Sequence, residues 1–264
     1  MLDSSFLKIL LFILILSSCG GGNSSNPPDN DLFIAQPKSI NGLVVDGYIR
    51  NAEVWIETTD DFLSVGEIKT ESNGQGAFSL TTNLNDFRIQ TSGGIDLDTN
   101  NSLEGLILVN HKVDELASNI PQNFIISPLT TADFFLSESL AKISNPIPTT
   151  INNILGLDQN LNINTTDHVG SLNSGFMFAK AYEKANQLTS ITLSLTKLVN
   201  NLNTSDNNSS EIFQIVLDRM VAIYQNSQNE INIESATFLD SLVDDVTQKF
   251  SLSLDNETRT KVKN

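Results

Sequence analysis

Residues 124–143 read FIISPLTTADFFLSESLAKI, and this stretch separates two kinds of secondary structure. Its first three residues form a short apolar run, which is typical of a buried strand. Ser127 followed by Pro128 indicates a helix start, because serine caps the first amide groups and proline fits the first helical position. Apolar residues then recur at intervals of three and four, which predicts an amphipathic helix from residue 128.

Short segments bounded by turn residues precede this helix, and they predict β-strands. Asn73 and Gly74 lie between two of these segments and predict a hairpin turn, since both residue types tolerate a positive φ. An antiparallel β-sandwich fits these signals. The predicted strands cover residues 42–48, 52–59, 65–71, 77–82, 87–91, 106–109 and 124–126.

Helical spacing continues to the end of the chain, where no proline follows Pro148 and no glycine follows Gly175. Three further apolar stripes predict helices at residues 188–202, 212–223 and 239–250, with capping residues before the last two, and a short helix is predicted near residues 150–155. Each stripe needs an apolar partner, which predicts a bundle of four or more helices. The predicted fold class is therefore α+β, with an N-terminal antiparallel β-sandwich and a C-terminal all-α helical bundle.

The N-terminus carries an export signal. Lys8 precedes an apolar run over residues 9–16, which has the length of a signal-peptide core and is too short to span a bilayer. The sequence LSSC at residues 16–19 resembles the lipobox of bacterial lipoproteins, in which the cysteine is acylated and becomes the mature N-terminus. The alternative is an ordinary signal peptide followed by a leftover cysteine, and an unpaired thiol in an oxidising compartment then needs its own explanation.

The lipobox resemblance implies that fatty acids, palmitate among them, are attached to Cys19. Residues 20 and 21 are glycines, whereas an aspartate directly after the cysteine commonly marks retention in the inner membrane. The resemblance therefore implies the outer membrane, with a body that faces either the periplasm or the outside.

Four regions are predicted along the chain. Residues 1–18 are the signal peptide. Residues 19–37 are rich in glycine, serine, asparagine and proline, which predicts a flexible tether. Residues 38–127 are the β-sandwich domain and residues 128–264 the helical domain.

The charge balance excludes several partners. The chain has 15 basic and 31 acidic residues, a net charge of -16 and a pI near 4.3. Phosphate groups and anionic lipid headgroups repel such a body, so nucleic acid is excluded as a partner. Membrane attachment has to come from the N-terminal lipid, and several acyl chains hold a protein stably where one holds it only marginally.

Residues 44–67, VVDGYIRNAEVWIETTDDFLSVGE, resemble the SdrD B-like and carboxypeptidase-regulatory-like β-sandwich segments of bacterial surface proteins and lipoproteins. The later sequences GGIDLDT at 93–99 and SPLTT at 127–131 agree with the same pattern, which covers roughly residues 40–167. The resemblance implies a sandwich followed by a Pro-Leu-Thr-Thr helix and an all-helical region. It also implies surface display, adhesion or matrix association without catalysis, and it specifies no ligand.

Acidic residues within that segment predict a calcium site at Glu57, Asp60, Asp61 and Glu67. Calcium takes six to eight oxygen ligands, and related surface modules bind it in a loop of this kind. Ser64 stands where the family pattern usually has another loop aspartate, which removes a charged ligand. The alternative is a solvated acidic hairpin loop without metal, and no other cofactor is predicted.

A second acidic group is an alternative calcium site. It contains Asp96, Asp98 and Glu104, with Asn100 and Asn101 between them. An Asp/Asn-rich turn also forms without metal, because these side chains accept hydrogen bonds from nearby amide groups.

The sequence gives weaker signals for zinc binding, nucleophilic catalysis and sugar stacking. Zinc prefers histidine and cysteine ligands, and the two histidines, His111 and His168, are far apart in sequence. The sequence contains no Gly-x-Ser-x-Gly motif, which would indicate a serine nucleophile. Tyr48 and Trp55 on neighbouring strands have the residue types of a sugar-stacking surface, although such a pair more often belongs to a core.

These observations favour a non-enzymatic, membrane-anchored envelope lipoprotein that serves attachment, surface structure or binding of a protein or polysaccharide partner at the cell surface. A related hypothesis makes it an accessory lipoprotein of a larger envelope machine. The alternative is an envelope hydrolase that cleaves a polymer through paired carboxylates. A deep pocket with convergent carboxylates of raised pKa favours the enzyme, whereas shallow grooves favour the binding module.

Overall fold

The computed structural model describes residues 37–58, 68–84, 87–110, 123–202 and 209–255. All of them belong to one compact unit, Pro37–Asn264. Within these ranges, nine β-strands come first and five α-helices follow. The α+β class, with strands in the first half and helices in the second, is as predicted.

The described strands form three small sheets, with strand orders β5-β1-β9, β2-β7 and β4-β3-β6-β8. Each of the seven predicted strands coincides at least in part with an observed one, and the two-residue strands β2 and β7 were not predicted. The bounds are β1 Lys38–Val44, β2 Ile49–Arg50, β3 Glu53–Glu57, β4 Lys69–Glu71, β5 Ala77–Thr82, β6 Arg88–Ser92, β7 Ile95–Asp96, β8 Ile107–Val109 and β9 Phe124–Ile126.

Alternation of buried and exposed residues is clear only where a strand has one covered face. On β5, Phe78 and Leu80 are buried while Ser79 and Thr81 are exposed. On β3, both Val54 and Trp55 are completely buried. Because both faces of β3 are covered, its sequence alternates only partly.

One ladder differs from the antiparallel prediction. β1 pairs antiparallel with β5 but parallel with β9, in the register Gly42 with Phe124 and Val44 with Ile126. A parallel partner has to arrive through a long connection, and β9 follows β1 by about eighty residues, which include the other strands. The sheet is therefore mixed, and a sequence of short strands does not reveal which ladder is parallel.

A turn forms at Asn73 and Gly74 as predicted, with the Gly76 amide donating to the Asn73 carbonyl at 3.0 Å, but it does not close a hairpin. The strands on its two sides, β4 and β5, belong to different sheets. Ser72 holds the chain where it passes from one sheet to the other. Its hydroxyl donates to the carbonyl of Ile49 at 2.7 Å and accepts from the amide of Ala52 at 2.9 Å. The positive φ of the turn falls on Gly76, at 73°.

The described helices are α1 Pro128–Ala141, α2 Ile151–Leu155, α3 Phe176–Leu202, α4 Ser209–Ser227 and α5 Ala236–Lys249. Ser127 caps α1 as predicted, since its side chain accepts from the amide of Thr130 and the Thr130 hydroxyl accepts from the amide of Ser127. α3 begins twelve residues before the predicted stripe. Its first turns include a buried cation, because Lys184 is 7% exposed and its Nζ lies 3.8 Å from Glu230 Oε1.

The strands and the helices have separate apolar cores that meet at a polar junction. The strand core and the helix core are distinct clusters of buried residues. Between them, Ile107 donates its amide to Ser209 Oγ at 2.7 Å, and Val109 donates its amide to Thr131 Oγ1 at 2.9 Å. These buried bonds satisfy amide groups of β8 with helix side chains, so the helices complete the hydrogen bonding of this sheet edge.

Gly42 on β1 lies in a tightly packed position between β5 and β9. A β-carbon there would lie 2.4 Å from the Phe124 carbonyl oxygen and 2.5 Å from Phe78 Cζ. We expect Gly42→Ala to lower the free energy of unfolding by about 2 kcal/mol, because overpacking forces backbone and ring to shift. Urea titration would measure this. Gly74→Ala is the matched control: no atom lies within 4 Å of its β-carbon position, so equal losses in both variants would contradict the packing account.

Candidate functional site

The predicted site residues fall mostly outside the described part of the chain. Cys19, Asp60, Asp61 and Glu67 all lie there. Glu57 is described: it ends β3, is 1% exposed, and lies opposite Arg88 in the register with β6. The calcium site in this loop therefore stays a prediction.

A different set of carboxylates meets around Gly47. Asp46 and Gly47 form the turn between β1 and β2, while Asp96 ends β7 and Asp98 lies in the turn after it. The two turns are joined because β2 pairs with β7 and Leu97 donates its amide to the Tyr48 carbonyl at 3.0 Å. We call Asp46, Asp96 and Asp98 the acidic junction.

Gly47 is the residue that permits this approach. A β-carbon on it would lie 2.3 Å from Asp96 Oδ1 and 2.8 Å from Asp98 Oδ2. Any side chain here would displace both carboxylates, so the glycine is required by close approach rather than by a positive φ.

Asp96 and Asp98 are held by local and long-range hydrogen bonds. Asp96 Oδ1 accepts from the Asp98 amide at 2.9 Å, and its Oδ2 accepts from the Thr99 hydroxyl at 2.6 Å. This turn follows the metal-free pattern expected of an Asp/Asn-rich segment. Asp98 Oδ2 accepts from the Tyr182 hydroxyl at 2.6 Å, which ties the turn to α3. Burial and the hydrogen bond to Asp98 raise the pKa of Tyr182 to about 12.

Like Asp96, which is 3% exposed, Asp46 is a buried member of the acidic junction. It is 1% exposed, and its Oδ1 has no hydrogen-bond partner. Burial raises the pKa of Asp46 to about 7; the Thr189 hydroxyl lowers it, and the charges of Asp96 and Asp98 raise it further. In the described ranges, no ion pair with lysine or arginine involves any of the three junction carboxylates.

A second buried titratable group lies near the same strand-helix boundary. His168 is 1% exposed, and burial lowers its pKa to about 4, although Asp167 and the Thr166 backbone act in the opposite direction. Asp167 Oδ2 accepts from the Tyr48 hydroxyl at 2.7 Å, which connects this segment to the turn beside Asp46. His111 lies outside the described residues.

An open groove of about 720 Å³ lies between α3 and α5. Its floor includes the buried apolar residues Leu195, Leu242 and Val243, and Glu183 and Glu234 are exposed along it. Tyr182 also lines it, so one side chain touches both the groove and the acidic junction. The junction carboxylates themselves do not line it.

The structure also bears on sugar stacking, metal binding and membrane crossing. Trp55 has no exposed surface, so the pair Tyr48 and Trp55 presents no sugar-stacking platform. Within the described ranges, no three histidine, cysteine, aspartate or glutamate side chains are already arranged to hold a metal ion. The helices in those ranges also include none with the length and apolar character needed to cross a membrane.

Sequence reasoning identified Asp96 and Asp98 but missed Asp46, Tyr182 and the buried His168. The sequence signal for Asp46 is limited to the Asp-Gly pair at residues 46 and 47, which indicates a turn; the close packing at Gly47 is visible only in the structure. The contact of Tyr182 with Asp98 had no signal, because 84 residues separate the two.

Comparison with known proteins identifies no family. No family model matches the sequence, and no curated protein matches it. Among solved structures, the chain is similar to a 9R-lipoxygenase from Cyanothece PCC8801, with 13% identity and a TM-score of 0.20, over 88% of this chain and 33% of that one. The chain thus spans about a third of that protein's length. A likeness this weak carries no argument about fold or activity.

Proposed function

We propose that this chain is a non-enzymatic bacterial lipoprotein of the outer membrane, acylated at Cys19, whose body serves attachment, surface structure or partner binding. The observation that carries the proposal is the sequence LSSC at residues 16–19, directly after an apolar run of signal-peptide length. In this proposal, the strand half is a β-sandwich of the SdrD B-like or carboxypeptidase-regulatory-like kind, and the helical half is a bundle.

The described surface supports a binding role for the body. The groove between α3 and α5 is open and has an apolar floor, and Glu183 and Glu234 are exposed along it. An apolar floor with a polar margin is typical of surfaces that bind another macromolecule. A protein partner with apolar and basic groups fits this groove best, since the chain carries a net charge of -16. The burial of Trp55 makes a polysaccharide the weaker candidate.

The envelope-hydrolase alternative draws on one observation, the raised pKa of Asp46 beside two other carboxylates. A general acid has to reach the substrate within hydrogen-bonding distance. Asp46 is 1% exposed and does not line the groove. A polymer would reach its carboxyl group only if the strand-helix junction opened, which favours the binding module.

The location of the body is tested by protease treatment of intact cells that express the full chain. If the body is displayed for attachment, added proteinase is expected to degrade it while a periplasmic marker in the same cells stays intact. Immunoblotting of both proteins gives the result. Degradation only after the outer membrane has been broken would contradict surface attachment and restrict the body to a periplasmic role.

A further inference from the structure

We propose that the groove between α3 and α5 binds a basic amphipathic helix of a partner protein. This inference rests on the proposed binding function of the body and assigns one class of occupant to one surface. It does not depend on the lipid anchor, because it concerns only the folded chain.

The first support is the shape of the groove. Its walls are two helices, and the residues of α3 that line it recur every three or four positions, so they follow one helical face over about three turns. A third helix fits along such a seam, because the side chains of one helix pack between those of its neighbours. The lining residues of α3 include Glu183, Gln187, Ser190, Ile191 and Ser194.

The second support is the apolar surface on both walls. Ile191 on α3 and Leu239 on α5 are only partly buried, although both pack against the helix core. The floor residues Leu195, Leu242 and Val243 belong to that core. The apolar face of an occupying helix would remove the remaining surface of Ile191 and Leu239 from water.

The charge of the groove selects a basic occupant. Glu183 lies on α3 and Glu234 directly precedes α5, and both are exposed. Among the described residues, neither carboxylate forms an ion pair, and no lysine, arginine or histidine lines the groove. Lysine or arginine side chains beside the apolar face of the occupant would supply counter-charges to both.

The same charge disfavours a second copy of this chain as the occupant. Each copy carries a net charge of -16, so two bodies repel each other as they approach. A cationic partner is instead attracted over the whole approach, and this attraction weakens as salt is added.

Fluorescence anisotropy of a labelled peptide tests the groove on the purified full chain. The probe is a peptide of leucine and lysine, about eighteen residues long, with leucines at helical positions i, i+3, i+4 and i+7. We expect saturable binding that weakens with salt. A peptide of the same composition in scrambled order should bind about tenfold more weakly, because it presents no continuous apolar face. Equal binding of the two peptides would overturn the proposal.

A pair of double variants tests whether the groove carboxylates attract the peptide. Glu183→Gln with Glu234→Gln should weaken binding about fivefold, since each exposed ion pair contributes little. Glu71→Gln with Glu138→Gln is the matched control, because it removes two exposed carboxylates outside the groove; it should keep the wild-type affinity. Equal losses in the two double variants would show attraction by net charge alone and would overturn the proposal.

Ser190→Arg tests the groove by blocking it. Ser190 is exposed on α3 and lines the groove, so a long cationic side chain there should weaken binding about tenfold or more. Ser137→Arg is the matched control, since Ser137 is exposed on α1 and does not line the groove; it should bind as the wild type does. Wild-type affinity in Ser190→Arg would overturn the proposal.

Two further results would assign the groove to another occupant and overturn the proposal. A dimer of the full chain that dissociates in Ser190→Arg would assign it to a second copy. Peptide binding that appears only after deletion of residues 256–264 would assign it to this chain's own C-terminal segment. The location and acylation of the protein are measured separately in cells, so a failure of peptide binding is distinguishable from a failure of the proposed anchor.

Discussion

Replacement of Cys19 by serine is expected to move the protein from the membrane fraction to the soluble fraction. The chain has a net charge of -16, so it gains nothing from anionic headgroups, and the proposed lipoprotein would depend on its acyl chains. Each buried methylene contributes about 0.8 kcal/mol to membrane binding, so loss of the chains changes the partition by many orders of magnitude. Immunoblots of fractionated cells, with mass analysis of the mature N-terminus, would measure the effect.

Ser17→Ala is the control for this experiment, because it changes the same segment but keeps a small residue before the cysteine. It should stay in the membrane fraction with an acylated N-terminus. If the Cys19→Ser protein stays membrane-bound after a high-salt wash, or if the wild-type N-terminus carries no lipid, the proposed anchor is wrong.

His168→Gln is expected to remove a large pH dependence of stability. The wild-type histidine has a folded-state pKa of about 4, whereas in the unfolded chain it is near 6.5. The unfolded state therefore takes up a proton first as the pH falls below 6.5. The stability that the neutral, buried ring contributes at neutral pH is progressively lost down to pH 4, by about 3 kcal/mol in total.

The measurement is urea unfolding of wild type and variant at pH 7.5, 5.5 and 4. Asp46 acts in the opposite direction: its raised pKa means that its protonation stabilises the folded state on acidification. That contribution is present in both proteins, so the difference between their pH slopes isolates His168. If the free energies of unfolding of the two proteins change with pH along the same slope, His168 does not have the lowered pKa that its burial predicts.

The parts of the fold that could be predicted are those encoded locally. The start of α1 was predictable because Ser127, Pro128 and Thr130 act within four residues of one another. The helices after residue 209 were predictable from their apolar stripes and capping residues, and Ser235 does cap α5. Here the sequence pattern and the three-dimensional environment agree, because each helix buries one face.

The parts that could not be predicted depend on long-range pairing. The parallel ladder between β1 and β9 joins segments about eighty residues apart. The strands β2 and β7 are two residues long, too short for any periodicity to reveal. The acidic junction depends on that pairing, since it brings Asp46 to Asp96. Composition identified the acidic turn at Asp96 and Asp98, but only the folded chain shows which carboxylate is buried beside it.

The position of β1 also decides how the body would respond to mechanical tension. Lys38, the first residue of β1, is where a pull from the N-terminal side would enter the sheets. β1 is the central strand of its sheet, bonded along its length to β5 and, at its far end, to β9. A pull along the strand would load these hydrogen bonds together in shear instead of opening them one at a time. In the proposed lipoprotein, whose anchor is N-terminal, fluid drag on the body would pull on this strand.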